Sequence, residues 1–281
     1  MCGFVIVILR GACCGRSNTD GETDRNFPFG WVQLNSNGQP DGPRAHPQAL
    51  PSSLQNGTQD KFGIWKPGFP SLRWAQTQSI LKVERGFQAV VLDTPSPSGA
   101  IHSCHKQPVG SRLARGALAT AYGREDLKVS AALSGAVVAP DRRTLTVSVA
   151  NASGLIVRDR LGFEVLAGHS SDTTTWRWYS SPILTSDGVQ TLTLSLANIT
   201  VLHSADTIVD TRSIGVATHT QGREASLSVM AVRYLWANSP CSADVFNCPV
   251  YVPVPKLGSL TGEHDTIPLG PAIIIVGAAS N

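Results

Sequence analysis

Phe87-Gln88-Ala89-Val90-Val91-Leu92-Asp93, followed by Thr94-Pro95-Ser96-Pro97-Ser98-Gly99 and then by a helical pattern from Lys106 to Gly123, is the stretch that decides the fold. The first segment is short, apolar and partly β-branched, as a buried strand requires. The second holds two prolines, two serines and a glycine, which makes it a turn-rich loop. In the third, Val109, Leu113, Ala117, Leu118 and Ala121 fall on one helical face, with Arg112 and Arg115 off it. Pro108 suits a first helical turn and Gly123 a C-terminal cap. Residues 87 to 123 are therefore predicted to form an α/β unit. Its loop lies at the carboxyl end of the strand, where open α/β sheets place their sites.

Upstream, Trp31-Val32-Gln33-Leu34 reads as a second short buried strand, and Asn35 to Phe69 as a long surface loop rich in Gly, Pro, Asn, Ser and Gln. The apolar run Phe4 to Leu9 is too short to span a bilayer. It reads as a strand, as a signal-peptide core without its usual preceding basic segment, or as a mis-started reading frame.

Downstream the pattern changes. Leu127–Ser130, Thr144–Val149, Phe163–Leu166, Thr191–Leu196 and Ala225–Tyr234 alternate polar and apolar residues. Such period-2 segments between Gly, Asn, Asp and Ser turns predict an antiparallel sandwich. A domain boundary is placed near Gly123–Asp126, giving residues 1–123 and 124–281. Ala272 to Val276 reads as a final strand or a tail. The β-half is expected to fold independently, and limited proteolysis to leave a resistant core from near Glu125.

Composition narrows the function. The 281 residues carry a net charge of +3 and 15% charged residues, without a Lys/Arg run, so a nucleic-acid partner is not expected. Among six cysteines, Cys241 and Cys248 close a short loop between Pro240 and Pro249, which favours a disulfide. Zinc is the competing reading, and it would need a second Cys/His pair. The sequons at Asn56, Asn151 and Asn198 suit the same oxidising compartment, secretory, lysosomal or extracellular. His169, His203, His219 and His264 have no metal-ligand spacing. Trp176-Arg177-Trp178-Tyr179 reads as strand packing in preference to a sugar-stacking platform.

The sharpest chemical feature is Ile101-His102-Ser103-Cys104-His105-Lys106-Gln107, between the loop and the helix. A histidine there is placed to act as general base to a serine on a neighbouring loop, or simply to cap the helix. A resemblance decides between them. Phe27–Leu34, Phe69–Thr77, Ile101–Gln107 with its helix, Val232–Trp236 and the Cys241–Cys248 loop resemble, in order, successive blocks of the sialate O-acetylesterases. Those are SGNH-type serine hydrolases with a three-layer α/β sheet and an appended β-domain.

The resemblance implies several things about this chain. His102 would be the catalytic base, Arg73 and Gln76 would lie near the site, and O-acetylated sialic acid or a sialoglycan would be the substrate. No metal or organic cofactor would be needed. Two departures stand out. The family often has an aspartate two or three residues before the histidine, where this chain has Gly99 and Ala100; the nearest upstream acid is Asp93. The family's Gly-Gln-Ser-Asn-Met nucleophile block and its oxyanion-hole residues lie well upstream of the Phe-Pro-Phe-Gly block. Here only Gly15-Arg16-Ser17-Asn18 echoes that block, and residues 1–20 are otherwise unmatched. The expectation is a truncated esterase-like chain, the alternative a non-catalytic glycan-binding or structural protein with a decayed site. The oligomeric state is not legible.

Overall fold

The computed structural model describes residues 7–8, 27–36, 68–169, 176–197, 199, 227–241, 244–258 and 264–277. The long loop's interior, Ser17, Asn56, Asn198, His203 and His219 lie outside them.

The N-terminal half is a three-stranded sheet in the order β1 (Val7–Ile8), β2 (Phe29–Val32), β3 (Gly86–Ala89). Strands β2 and β3 run parallel, and β1 lies antiparallel to β2. Between the parallel strands the chain forms α1 (Phe69–Ile80), and after β3 it forms α2 (Lys106–Tyr122). Helix α2 ends as the sequence requires, with Gly123 in the left-handed region at φ 69°. Leu113 and Ala117 pack on Phe87, Ala89 and Val91. The strand-loop-helix expectation is met.

Helix α1 is not legible as an amphipathic pattern, because it buries a proline and an arginine (Pro70 and Arg73) while leaving Leu72 exposed. The two arginines of α2 are a correction. Arg112 and Arg115, read as lying off the apolar face, are nonetheless 9% and 2% exposed, because the β-rich half covers that side of the helix. A second correction concerns residues 127–130. In place of the strand expected there, a 3-10 turn, Glu125–Leu127, buries Leu127, and the residues after it are irregular, with Val129 exposed.

The C-terminal half is antiparallel. One four-stranded sheet has the order β4 (Ala132–Val138), β5 (Thr144–Ala150), β10 (Thr191–Ser195), β9 (Ile183–Ser186). A second runs β14 (Ala272–Ile275), β11 (Leu227–Tyr234), β7 (Phe163–His169), β8 (Arg177–Ser180). Three shorter strands, β13 (His264–Pro268), β12 (Val250–Pro255) and β6 (Ile156–Val157), form a third sheet. Burial alternates residue by residue along β5 and β10, as the sequence pattern predicts. Leu145, Val147, Leu192, Leu194, Phe163, Val165, Val232 and Tyr234 share one core. Trp178 and Tyr179 are both buried, and the Arg233 guanidinium lies 4.1 Å from the Trp178 ring centroid, so this aromatic segment packs inside the sheet.

Cys241 and Cys248 form the expected disulfide, with both residues buried and Cα atoms 4.6 Å apart. No helix among the described residues is long and apolar enough to cross a membrane. No group of His, Cys, Asp or Glu among them is placed to hold a metal ion.

The change of architecture near residue 123 is not a gap in packing. Leu92, from the end of the N-terminal sheet, and Trp74 of α1 join the core of the C-terminal sheets. Three side chains, Arg73, Asp93 and Arg115, hydrogen-bond across the seam.

Candidate functional site

The carboxyl ends of β2 and β3 face the loop that carries His102. Buried polar side chains fix this edge. Asn35 donates from Nδ2 to the Thr94 carbonyl at 2.8 Å, and Ser36 donates from Oγ to the Leu92 carbonyl at 3.2 Å. The Thr94 hydroxyl returns to the Val91 carbonyl at 2.8 Å. Each bond satisfies a backbone group that leaves the β ladder where the strand ends, which is why the turn is rigid at its root. Farther along, Gly99 takes a φ of 72° and its N–H closes a turn on the Ser96 carbonyl at 2.9 Å.

Asp93 is the anchor of this loop. Its carboxylate is 0% exposed and receives two nitrogens of Arg112, at 2.6 and 2.8 Å. The Tyr251 hydroxyl donates to the same carboxylate at 3.2 Å while accepting the Cys248 N–H at 3.0 Å. The Asp93 carbonyl accepts the Phe246 N–H at 2.7 Å. One residue thus ties the strand end to α2 and to the disulfide loop. Desolvation and the neighbouring Asp93 charge push the Tyr251 phenol well above its ordinary value, so it remains a donor.

His102 sits on the outer part of this loop, exposed to solvent. Just after it, the buried Ser103 accepts the His105 N–H at 3.0 Å on its Oγ, which sets the entry into α2. Asp93, the nearest upstream acid, is committed to Arg112 and Tyr251, so it does not orient the imidazole. The free thiol of Cys104 is exposed beside it.

Arg73 and Gln76 lie on α1, next to the end of β2. Gln76 accepts the Leu34 N–H at 2.8 Å. Arg73 is 0% exposed and donates to four backbone carbonyls: Leu34 at 2.8 Å, Asn35 at 2.8 Å, Ala237 at 2.7 Å and Asn238 at 2.7 Å. Burial without a carboxylate lowers its guanidinium to about 9. Both side chains therefore hold the segment just past the end of β2, and Arg73 also holds the segment that follows β11.

Asn35, Ser36 and Arg112 are the residues that sequence reasoning missed, and Asp93 was legible only as the nearest acid upstream of His102. Asn35 and Ser36 look like the start of a polar loop. Arg112 looks like an ordinary exposed cation, because helical spacing records apolar faces and carries no sign of a buried charge. The one available signal was the acid at the end of an apolar strand, since an ionised group in that position needs a partner.

No family model matches the chain. Among curated proteins it is similar to the sialate O-acetylesterase of Mus musculus, 29% identical over 242 residues, covering 83% of this chain and 35% of that protein. The Rattus norvegicus sialate O-acetylesterase is 29% identical over 259 residues, covering 89% of this chain and 38% of that protein. The Homo sapiens protein is 28% identical over 244 residues, covering 84% and 36%. Among solved structures, a carbohydrate acetylesterase from Xanthomonas citri superposes with a TM-score of 0.50 at 21% identity, over 89% of this chain and 41% of that one. That likeness speaks to the fold alone. The chain resembles the sialate O-acetylesterases over most of its own length, while spanning little more than a third of theirs.

Proposed function

We propose that this chain is the histidine-bearing portion of a carboxylic ester hydrolase that removes acetyl groups from sialic acid hydroxyls. The observation that carries the reading is the position of His102. It is solvent-accessible on the loop that leaves the carboxyl end of β3, and the root of that loop is held by Asp93. In the reaction, the imidazole takes the proton of a serine hydroxyl as its oxygen attacks the acetyl carbonyl. It then gives that proton to the departing sugar oxygen. Water, activated by the same imidazole, attacks the acetyl-serine and releases acetate. Residues 1–123 are read as part of an SGNH-type three-layer sheet and residues 124–281 as its β-sandwich-like companion. Arg73 and Gln76 act as positioning residues that hold the segment just past β2, not as substrate contacts.

A secretory, lysosomal or extracellular location accompanies this reading. The disulfide supports it, and so does Asn151, an exposed sequon asparagine at the turn after β5. The test is acetate release from an O-acetylated sialoside by the purified chain, with His102→Ala as control. Release that disappears in the variant, with its unfolding midpoint unchanged, is the expected result. Release that survives the substitution overturns the role of His102.

One observation favours a second reading. The Asp93 carboxylate is spent on Arg112, so it cannot hold His102 in the productive tautomer. On that reading the chain is a non-catalytic glycan-binding protein. No acetate release, together with retained sialoside binding, would select it.

A further inference from the structure

Asp93 and the disulfide loop close a circuit of contacts around Tyr251, a buried residue of β12. The Tyr251 hydroxyl donates to the Asp93 carboxylate at 3.2 Å and accepts the Cys248 N–H at 3.0 Å. The Arg158 guanidinium lies over its ring, 4.1 Å from the centroid. Arg158 in turn donates to the Phe246 carbonyl, and the Phe246 N–H donates back to the Asp93 carbonyl at 2.7 Å. Phe246 and Cys248 belong to the loop that the Cys241–Cys248 bond closes. Phe246 stands at φ 62°, a left-handed conformation that a non-glycine residue keeps only where its surroundings hold it. Here both of its backbone polar groups are held within the circuit.

Asp93 is also where the loop that bears His102 begins. Asp93 and Arg112 are 19 residues apart in the chain, and their ion pair clamps that loop at both ends. Inside it, the Ser96 and Ser98 hydroxyls meet at 2.9 Å and the Gly99 N–H reaches the Ser96 carbonyl. The His105 N–H reaches Ser103 Oγ, and the Lys106 N–H the Cys104 carbonyl. Bonds so local give the loop its shape, while its placement relative to the sheet comes from its ends. At Asp93 that end is held by groups from the other half of the chain.

We propose that Tyr251 is a positioning residue for His102 and acts through Asp93. Its hydroxyl ties the root of the histidine loop to the closed Cys241–Cys248 loop, so that the β-rich half sets where the imidazole stands. The role of His102 is that of the function proposed above; the coupling between Tyr251 and the loop needs no turnover to be seen.

The experiment is Tyr251→Phe in the full chain, which keeps the ring and removes one oxygen. Two buried groups, the Asp93 carboxylate and the Cys248 N–H, then each lose a bond. Hydrogen exchange is expected to quicken at least about tenfold at the bonded amides of Thr94, Gly99 and His105, while the amides of β5 and β10 keep their protection. In NMR, the imidazole signal of His102, assigned by its absence in His102→Ala, is expected to shift or split. A general loss of stability would instead quicken exchange throughout and leave that signal in place. Unchanged exchange at the three loop amides, or an equal rise in β5 and β10, overturns the proposal, as does a His102 signal that does not move. Neither readout uses acetate release, so failure here is distinguishable from failure of the proposed hydrolysis.

Discussion

Replacing Arg112 by Met tests the account of the loop root most directly. The methionine keeps most of the apolar stem of the side chain and removes only the guanidinium. Asp93, with 0% of its side chain exposed, is then left, among the described residues, with the Tyr251 hydroxyl as the donor to its carboxylate. The bonds lost are the two to Asp93, at 2.6 and 2.8 Å, and one to the Val90 carbonyl at 2.9 Å. Stranding one member of a buried ion pair costs about 3–5 kcal/mol. Urea unfolding of the whole chain, followed by tryptophan fluorescence, reads that loss as a lower midpoint. Asp93→Asn added to Arg112→Met removes the stranded charge and is expected to restore at least half of it. A loss below about 1 kcal/mol in the single variant, or no recovery in the double variant, refutes the reasoning, because either means that the carboxylate does not depend on Arg112.

Other substitutions probe separate parts of the structure. Arg73→Ala leaves four carbonyls without their donor, two of them beyond β11, and is expected to cost at least about 3 kcal/mol in the same unfolding assay. Gly116→Ala improves intrinsic helix propensity by about 1 kcal/mol, yet should destabilise the fold. An added Cβ would lie 2.4 Å from a ring carbon of Phe87, so the helix must lift off the strand, at a net cost on the order of 1–2 kcal/mol in thermal unfolding. The Asp187 carboxylate accepts the N–H groups of Val189, Gln190 and Thr191, which lowers it to about 2. A depressed folded value means that its contribution is full above the ordinary aspartate range and is lost as pH falls through about 2. An NMR titration placing Asp187 near 4 would contradict this.

Much of the fold was legible because it rests on local signals. The period-2 pattern of Thr144–Val149 and Thr191–Leu196 became strands β5 and β10 with alternating burial. Gly123 ended α2 in the left-handed conformation, since a residue without Cβ meets no steric penalty there. The proline-flanked Cys241–Cys248 loop closed as a disulfide. Each of these depends on residues within a few positions of one another.

The tertiary structure alone decided where the charges went. Asp93 meets Arg112 from 19 residues away and Tyr251 from 158, and Arg73 reaches carbonyls 164 and 165 residues on. A buried ion is tolerable only when distant groups converge on it, and no helical or strand period records that convergence. For the same reason, the sequence could name His102 from its loop and its resemblance. It could not show that Asp93, the nearest acid upstream of that histidine, is the anchor between the two halves of the chain.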